Sequence, residues 1–488
     1  MESTAGEKLS LTQTEQRLDD LKRRKAKLLT QVEEIDIEIK REQQRHAVLV
    51  NEAAPISKLP PELLSNIFLT VYDDDTSHHL PKSSENFQIL ASHVCSSWRR
   101  VAIGTPLLWS DIHVKVSFTS RKINTVSHSL HRLISFLERS GTSLFHFTLD
   151  VNGAFDMSPF FRHLHAHLYR CYTLFFRITN HPTPVDVLLQ HLGHISVPIL
   201  DSLTVQIPRC KLFRHDETQF IIIKPSMFRL GAPALQSLRL TGIAGPLQPP
   251  LGNITTLHLQ GTDMGGLSPA QFLAVLENTP LLINLSLDDV FVHMEGGVSP
   301  DAPASLVPHL HSLRVRCPEH CELRHLLSLL PLSQLRSVCL SQIETFRPIE
   351  FPNATSLILE CPISTEDIGN LILAFPLLTS LTLVSNPEVV FVALGFPGEP
   401  AWWPKLTRLC VKDLQKSDVA GFMGMLQRRK AMGTPLEALT IDGRDRMLLR
   451  KHWKEITELV PSVLEDSTEP WPAGHGYDDA DDGFWSMR

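Results

Sequence analysis

The chain contains 488 residues, of which 43% are hydrophobic and 20% are charged, so a wholly disordered protein is excluded. Its formal net charge of −7 argues against a nucleic-acid-binding protein, which needs a basic face to neutralise phosphates. Leucine, with 74 residues, and proline, with 34, are both abundant. Chains rich in both are often built from short repeated units, so we expect repeats.

The sequence predicts neither a membrane segment nor a secretion signal. The longest apolar runs, such as residues 389–396, are far shorter than the about 20 residues that a membrane-spanning helix needs. The first residues, with Glu2, Glu7 and Lys8, lack the basic-then-apolar pattern of a signal peptide. The eight cysteines include no CxxC pair, which favours reduced thiols. We therefore expect an intracellular protein, in the cytoplasm or the nucleus.

Residues 9–50 contain neither proline nor glycine and carry an imperfect heptad repeat. Eight of its twelve a and d positions are apolar, which is typical of an amphipathic helix or a short coiled coil. Docking on the protein's own domain and self-association through residues 9–50 both remain open. The basic run at residues 22–27 matches a nuclear address, but a solvated helix surface is the favoured interpretation. The apolar positions are Leu11, Leu18, Leu21, Leu28, Val32, Ile35, Ile39 and Leu49, and the polar ones are Thr14, Lys25, Glu42 and His46.

Two apolar helical stripes follow a proline at position 55. Residues 59–68 read Leu-Pro-Pro-Glu-Leu-Leu-Ser-Asn-Ile-Phe, and the prolines stand where a helix start leaves N–H groups unbonded anyway. After a polar spacer at residues 73–86, residues 94–102 read Val-Cys-Ser-Ser-Trp-Arg-Arg-Val-Ala, and a Leu-Trp pair closes the segment. With these motifs in this order, residues 56–110 resemble an F-box. The extended spacer and the overall layout are similar to those of F-box proteins of basidiomycete fungi.

The resemblance implies a three-helix module that binds a Skp-type linker of a cullin ubiquitin ligase. So small a module cannot bury two apolar helix faces within itself, which leaves apolar surface for a partner. Some of these side chains could instead fill the module's own core, and the sequence does not separate the two roles. Transferred position by position, the linker contacts would be Leu59, Pro60, Leu63, Leu64, Ile67, Phe68, Val94, Cys95, Trp98 and Arg99.

From about residue 140 the chain repeats a phrase of the form apolar-x-x-apolar-x-apolar twelve times, at intervals of 19 to 35 residues. Most intervals fall within the period of about 20–29 residues of leucine-rich repeats. We therefore predict an α/β fold: an N-terminal helix, a three-helix F-box, and an irregular leucine-rich-repeat solenoid in which parallel strands alternate with helices. Proline precedes the first apolar position by two residues in seven units, at Pro198, Pro233, Pro280, Pro308, Pro352, Pro376 and Pro404.

The residues that flank the second apolar position of each unit should point to the concave face of such a solenoid. Small hydroxyl side chains such as Ser202 and Ser356 are common there, so we expect an accessible sheet surface. Its mixed charges favour a protein target over a nucleic acid, although a solvated strand surface is the alternative for each residue alone. The candidate target-binding residues are Arg239, His258, Asp288, Arg314, Arg316, Glu360 and Lys412.

Residues 309–325 contain the densest group of histidines and cysteines, namely His309, His311, Cys317, His320, Cys321 and His325. They lack the tight knuckle pairs of structural zinc sites, and the first two flank a leucine on a predicted strand. No phosphate-binding glycine loop, HExxH motif or nucleophile elbow occurs in the sequence. We therefore predict no catalytic residues, no metal and no cofactor.

The sequence thus predicts four segments: an amphipathic helix or coiled coil at 1–54, an F-box at 55–112, a solenoid at 113–460 and an acidic flexible tail at 461–488. The expected function is substrate recognition within an SCF-type cullin ubiquitin ligase, with the linker on the F-box and an unidentified target protein on the repeats. A scaffold that does not direct degradation is one alternative, and a hydrolase among the 23 histidines is another. Neither nucleic acid nor a membrane is expected as a partner.

Overall fold

The computed structural model describes residues 3–77, 87–117, 124–154, 156–181, 183–207, 225–242, 247–261, 267–290, 292, 306–316, 323–341, 349–360, 364–384, 388–396 and 402–465. Most of the predicted spacer and the predicted acidic tail after residue 465 lie outside these ranges. No helix within them combines the length and apolar character needed to cross a bilayer. Two compact units divide the chain, Met1–Leu108 and Trp109–Arg488, so the boundary falls four residues before the predicted one.

A single long helix, α1 (Ser3–Ala53), opens the first unit. Its unbroken run of helix formers sustains it, and it ends just before Pro55, since proline disfavours a helical conformation in the residue before it. Every described side chain from residue 13 to residue 50 is exposed. The predicted helix is therefore confirmed, and within the described part of the chain its apolar positions are uncovered.

A group of short helices completes the first unit. One 3-10 turn, Pro55–Lys58, precedes α2 (Pro61–Ser77), which begins with proline at a position where no N–H donor is required. Two eight-residue helices follow, α3 (Phe87–Val94) and α4 (Ser96–Ile103), and a second 3-10 turn spans Pro106–Trp109. Helices α2, α3 and α4 pack pairwise against one another.

A parallel sheet, in which each strand pairs with the next in chain order, forms the second unit. Within the described residues it has 14 strands, and its order from β1 to β14 follows the sequence without exception. Helices stand between most strands, which is the α/β arrangement expected of a stacked repeat. The strands are β1 (Asp111–Ser117), β2 (Phe145–Asn152), β3 (Cys171–Thr179), β4 (Ser202–Ile207), β5 (Ser237–Gly242), β6 (Thr256–Gln260), β7 (Asn284–Asp288), β8 (Ser312–Arg316), β9 (Ser337–Ser341), β10 (Ser356–Glu360), β11 (Ser380–Leu383), β12 (Arg408–Val411), β13 (Ala438–Ile441) and β14 (Ser462–Glu465).

The helices of the second unit fill the intervals of the predicted repeats. Ser268 starts one of them with a reciprocal capping box to Gln271, and the Ser364 hydroxyl accepts a hydrogen bond from the Asp367 N–H at 3.0 Å. These helices are α5 (Asn124–Arg139), α6 (Ser158–His165), α7 (Pro184–Leu192), α8 (Pro269–Glu277), α9 (Leu323–Ser328), α10 (Asp367–Ala374), α11 (Glu388–Leu394), α12 (Asp418–Ala431), α13 (Gly443–Leu448) and α14 (Trp453–Leu459).

The register of the sheet confirms the predicted repeat units. The second apolar position of each of the twelve units is the Cα partner of the same position in the next unit, so one continuous row runs from β2 to β13. Stacking these side chains gives the repeats a common core that no single unit could bury alone. The row consists of Phe147, Leu174, Leu203, Leu238, Leu257, Leu285, Leu313, Val338, Leu357, Leu381, Leu409 and Leu439.

The seven repeated prolines share one local structure, a four-residue turn that leads into the strand. In each unit the N–H of the first apolar residue donates to the carbonyl three residues earlier, at 3.1–3.4 Å, as Leu310 does to Val307. Proline occupies the second position of this turn, where its fixed φ is favourable and no N–H is needed. The residue before each proline is buried, so the turn also anchors the chain in the core.

A buried arginine on α12 forms hydrogen bonds with one of these turns. Arg429 is fully buried, and its guanidinium donates to the carbonyls of Trp402, Trp403 and Leu406 at 3.1–3.3 Å. A fourth bond, at 3.1 Å, reaches Thr434 just after the helix. Burial lowers the pKa of Arg429 to about 10, so the side chain remains charged at neutral pH.

Candidate protein-docking surfaces

The apolar positions of α2 divide into an inner and an outer row. Leu64 and Phe68 are 3% and 1% exposed, whereas Leu63 and Ile67 are 50% and 43% exposed. Val71, one further helical turn along the outer row, is also exposed. We call Leu63, Ile67 and Val71 the α2 stripe. It lies on one face of the helix because its members are four residues apart.

The inner row forms the core of the helical module. The Phe68 ring contacts Trp98 at 4.9 Å and Phe87 at 5.9 Å between centroids. Ala91, Ala102 and Leu108 are buried as well. Leu64 and Phe68, which were expected to contact the linker, are therefore core residues, because their side chains have almost no exposed surface. The half-buried Trp98 supports the same core while keeping part of its ring at the surface.

A second exposed apolar stripe lies on α3. Leu90 and Val94, one helical turn apart, are 45% and 57% exposed, and we call them the α3 stripe. Only Val94 was expected from the sequence, although the four-residue spacing could have revealed Leu90. Of the other expected contacts, Pro60 and Arg99 are exposed, and Leu59 and Cys95 are half-buried. The exposed apolar side chains that were not predicted as linker contacts are Ile56, Val71, Leu90, Ile103 and Leu107.

Local hydrogen bonds fix how α3 and α4 meet. Cys95 stands between the helices in an extended conformation, and its sulfur accepts from the Trp98 N–H at 3.5 Å as the cap of α4. Arg99 reaches back across this junction, donating from Nε to the Ser92 carbonyl at 2.8 Å. Ser65 on α2 and the buried Thr105 share a hydroxyl hydrogen bond of 2.9 Å. These contacts hold the stripe-bearing helices in place before any partner binds.

The polar face of the sheet is accessible at both ends and buried in the middle. In β1–β4 and β10–β13, buried residues alternate with half-buried or exposed ones. From β5 to β9 this alternation is lost, since nearly every residue of each strand is buried on both faces. Among the described strand residues, the predicted accessible surface is therefore found mainly at the two ends of the sheet.

Five of the candidate target-binding residues lie in the buried middle. Arg239, His258, Asp288, Arg314 and Arg316 are each 2–5% exposed, so their expected accessibility is wrong. Three of them, His258, Asp288 and Arg316, contact side chains on neighbouring strands instead. Arg316 lies 3.8 Å from the Asp288 carboxylate, which also accepts a 2.7 Å hydrogen bond from Gln260. His258 shares a 2.7 Å hydrogen bond with Ser286 on the next strand.

The surroundings of His258 keep its ring neutral. Burial lowers its pKa well below 6.5, and the positive charges of Arg239 and Arg314 lower it further. In the unfolded chain the same ring takes up a proton as the pH falls through 6.5, so unfolding is favoured there by proton uptake.

We expect the free energy of unfolding to decrease as the pH falls below 6.5, and part of this decrease to vanish in His258→Asn. For one histidine that stays neutral when folded, the loss between pH 6.5 and 5.5 is about 1 kcal/mol. Urea denaturation of both proteins at a series of pH values measures the difference. Parallel curves for the two proteins would contradict the assignment.

Glu360 and Lys412 are partly accessible to solvent, at the end of the sheet that is formed by the last strands of the chain. Both are half-buried, on β10 and directly after β12, and Arg408 on β12 is exposed. At the N-terminal end, β1 carries the exposed His113 and Lys115, which precede the repeats predicted from about residue 140. The accessible polar positions thus form two separate areas of the sheet.

The described part of the chain was searched for metal-binding groups, free thiols and pockets. No set of three or more histidine, cysteine or acidic side chains within it could hold a metal ion. Four cysteines, at 95, 171, 339 and 410, are free thiols. A small surface pocket between α8 and the segment before β6 is lined by residues such as Pro249, Leu251 and Val275, without an acid, base or nucleophile. The predicted cluster residues Cys317, His320 and Cys321, and the side chain of His325, lie outside the described residues.

Comparison with known proteins adds no family assignment. The chain matches no protein-family model, and no curated protein matches it.

Proposed function

We propose that this protein is the target-recognition subunit of an SCF-like cullin ubiquitin ligase, with an F-box in its first unit and a leucine-rich-repeat array in its second. The observation that carries the proposal is the exposure of the motif's outer residues. Leu63, Ile67 and Val94 stand at F-box positions and keep about half of their surface uncovered on a module whose core is already filled. Apolar surface on so small a module favours binding of a partner protein.

The linker would bind across the α2 stripe and the α3 stripe. Burial of a leucine-sized side chain contributes about 1.5–3 kcal/mol when it is fully exposed beforehand, so several half-exposed residues together supply a useful binding free energy. The exposed Arg99 and the partly exposed Trp98 would add the residue types that most often anchor interfaces. The inner row, Leu64 and Phe68, would hold the helices at the correct spacing.

The target protein would bind at an accessible end of the sheet. Glu360 on β10, and Arg408 and Lys412 on and just after β12, present both signs of charge two strands apart in the sheet, which favours a protein with a matching polar surface. The subunit would perform no covalent chemistry itself. It would hold the target close to a ubiquitin-charged enzyme of the ligase and so raise the effective concentration of the target's lysines.

The experiment for this proposal has two parts. Co-purification of the full chain from its native cells should recover the linker and the cullin, together with a target protein. The target's half-life should then lengthen when this chain is deleted and shorten again when it is restored. A half-life that does not change would contradict degradation and support the scaffold function, whereas absence of the linker and cullin would refute both.

A further inference from the structure

Helix α1 presents a row of apolar side chains that nothing in the described part of the chain covers. Eleven large apolar side chains between residues 18 and 50 are each 48–58% exposed. Apolar side chains that recur at heptad spacing and stay exposed on a helix point to a partner helix. The partner can be identified from the polar residues that interrupt the seam.

The seam is composed of the ten heptad a and d positions from residue 18 to residue 49. Seven are apolar, and the other three are Lys25, Glu42 and His46. Charged residues at such positions determine which helix, and which orientation, can pair with the seam, because a wrong pairing buries an unmatched charge. The two charges have opposite sign and lie at equal distances from the seam's centre, since 25 and 42 are both 8.5 positions from 33.5.

We propose that α1 pairs in antiparallel orientation with α1 of a second copy of this chain, with each seam residue i, at an a or d position, opposite residue 67 − i. In this register Lys25 of each copy faces Glu42 of the other, twice per dimer. Six of the seven apolar positions then face one another: Val32 faces Ile35, Leu28 faces Ile39 and Leu18 faces Leu49. The seventh, Leu21, faces His46.

A parallel pair is disfavoured by the same residues. In register, it would place Lys25 against Lys25 and Glu42 against Glu42 within the apolar seam. Like charges at such positions repel and leave both groups without a neutralising partner. The antiparallel register shifted by one heptad, with i opposite 60 − i, places Lys25 against Ile35 and leaves both charges unmatched.

The flanking charges agree with the antiparallel register in part. The g positions that flank the seam pair with one another, and their residue numbers then sum to 69. Arg17 would therefore face Glu52 of the second copy, whereas Arg24 would face Arg45, a like-charged pair. That repulsion is reduced because Arg45 lies 4.0 Å from Glu42 of its own helix. Flanking pairs are exposed and contribute less free energy than the seam charges, so Lys25 and Glu42 determine the orientation and register of the helix pair.

The seam is long enough for a specific but modest interface. From residue 18 to residue 49 a helix extends about 47 Å, and a contact strip about 10 Å wide covers roughly 500 Å² of each partner. The total lies near the small end of specific interfaces, so the dimer should form and dissociate with concentration. The following helical modules would leave the pair at opposite ends, which gives each dimer two separate linker-binding modules if the proposed function is correct.

Charge exchange tests the pairing in the full-length protein. Analytical ultracentrifugation over a concentration series should show a monomer–dimer equilibrium for the wild type. Lys25→Glu and Glu42→Lys alone should each weaken the dimer by tenfold or more, because each places like charges opposite one another. The dissociation constant of the double variant Lys25→Glu/Glu42→Lys should return to within about threefold of the wild-type value, since the two substitutions together restore an opposite-charge pair. A wild type that stays monomeric, or a double variant that is not rescued, would overturn the proposal.

Cysteine crosslinking tests the orientation independently. Under mild oxidation, a mixture of Lys25→Cys and Glu42→Cys chains should form a mixed disulfide, while Lys25→Cys alone should give no more dimer than the wild type with its native cysteines. Residues 25 of the two copies would be about 26 Å apart, far beyond the reach of a disulfide. Efficient crosslinking of Lys25→Cys with itself would establish the parallel orientation and refute the proposal. Neither test depends on linker binding, so failure here leaves the proposed ligase function untouched.

Discussion

Replacing Leu63 and Ile67 together by aspartate should lower the affinity of the chain for a Skp-type linker by at least about 100-fold. These residues form the centre of the proposed linker contact, and two charges there would have to be desolvated on binding. This factor corresponds to a loss of about 2.8 kcal/mol of binding free energy, which is well within the range for two central interface residues. Isothermal titration calorimetry with the purified linker measures it.

The variant should fold as the wild type does, because Leu63 and Ile67 already contact water over about half of their surface. Leu373→Asp is the matched control, since Leu373 is 74% exposed on α10 of the second unit and has no part in the proposed contact. Circular dichroism should show the same helix content for all three proteins. Unchanged linker affinity in the double variant would exclude the α2 stripe as the docking surface.

Arg429→Leu should lower the free energy of unfolding of the second unit by about 3–5 kcal/mol. The guanidinium is fully buried and donates to the carbonyls of four residues, three of them around the turn that contains Pro404. Leucine fills much of the space but supplies no donor, so these carbonyls lose hydrogen bonds away from water. Thermal or urea denaturation of the full chain provides the measurement.

Arg428→Leu is the control for this prediction. Arg428 is the preceding residue on the same helix, has the same side chain and is exposed. A surface substitution of this kind changes stability by less than about 0.5 kcal/mol. Similar destabilisation by both substitutions would show that the loss comes from the helix and not from the buried hydrogen bonds.

The strands of the repeat could be predicted because their signal is local and is repeated twelve times. The apolar phrase fixes which side chains enter the core, and stacking then determines the register. The same phrase also occurs at Trp109, Ile112 and Val114, and this signal could have revealed β1. By contrast, β14 (Ser462–Glu465) follows directly after α14 and carries a glutamate at the third apolar position, so it gave no such signal.

The burial of the sheet's middle could not be read from the sequence. Arg239, Arg314 and Arg316 alternate with leucine and valine as solvent-facing residues would, and only the folded structure encloses them. The alternation of apolar and polar residues along one strand specifies on which face of the sheet each residue lies. Whether the opposite face is also covered depends on distant parts of the chain, which local spacing does not encode.

The helical module shows a related limit. Positions 63, 64, 67 and 68 form one broad apolar stripe in the sequence. Their hydrophobicity alone does not show which of them are buried and which are exposed. The division arises from packing, because Phe68 can contact both Phe87 and Trp98 while Leu63 and Ile67 point away from them. The resemblance to an F-box places these residues in one group, and the structure divides that group into core and surface.

The most direct test of the proposed ligase function is the footprint of the linker on the full chain. Hydrogen–deuterium exchange with and without a purified Skp-type linker should show protection in α2 and α3, around Leu63, Ile67, Leu90 and Val94. The sheet from β1 to β14 should exchange at the same rate in both samples. Absence of a complex at high linker concentration, or protection confined to the sheet, would contradict the account.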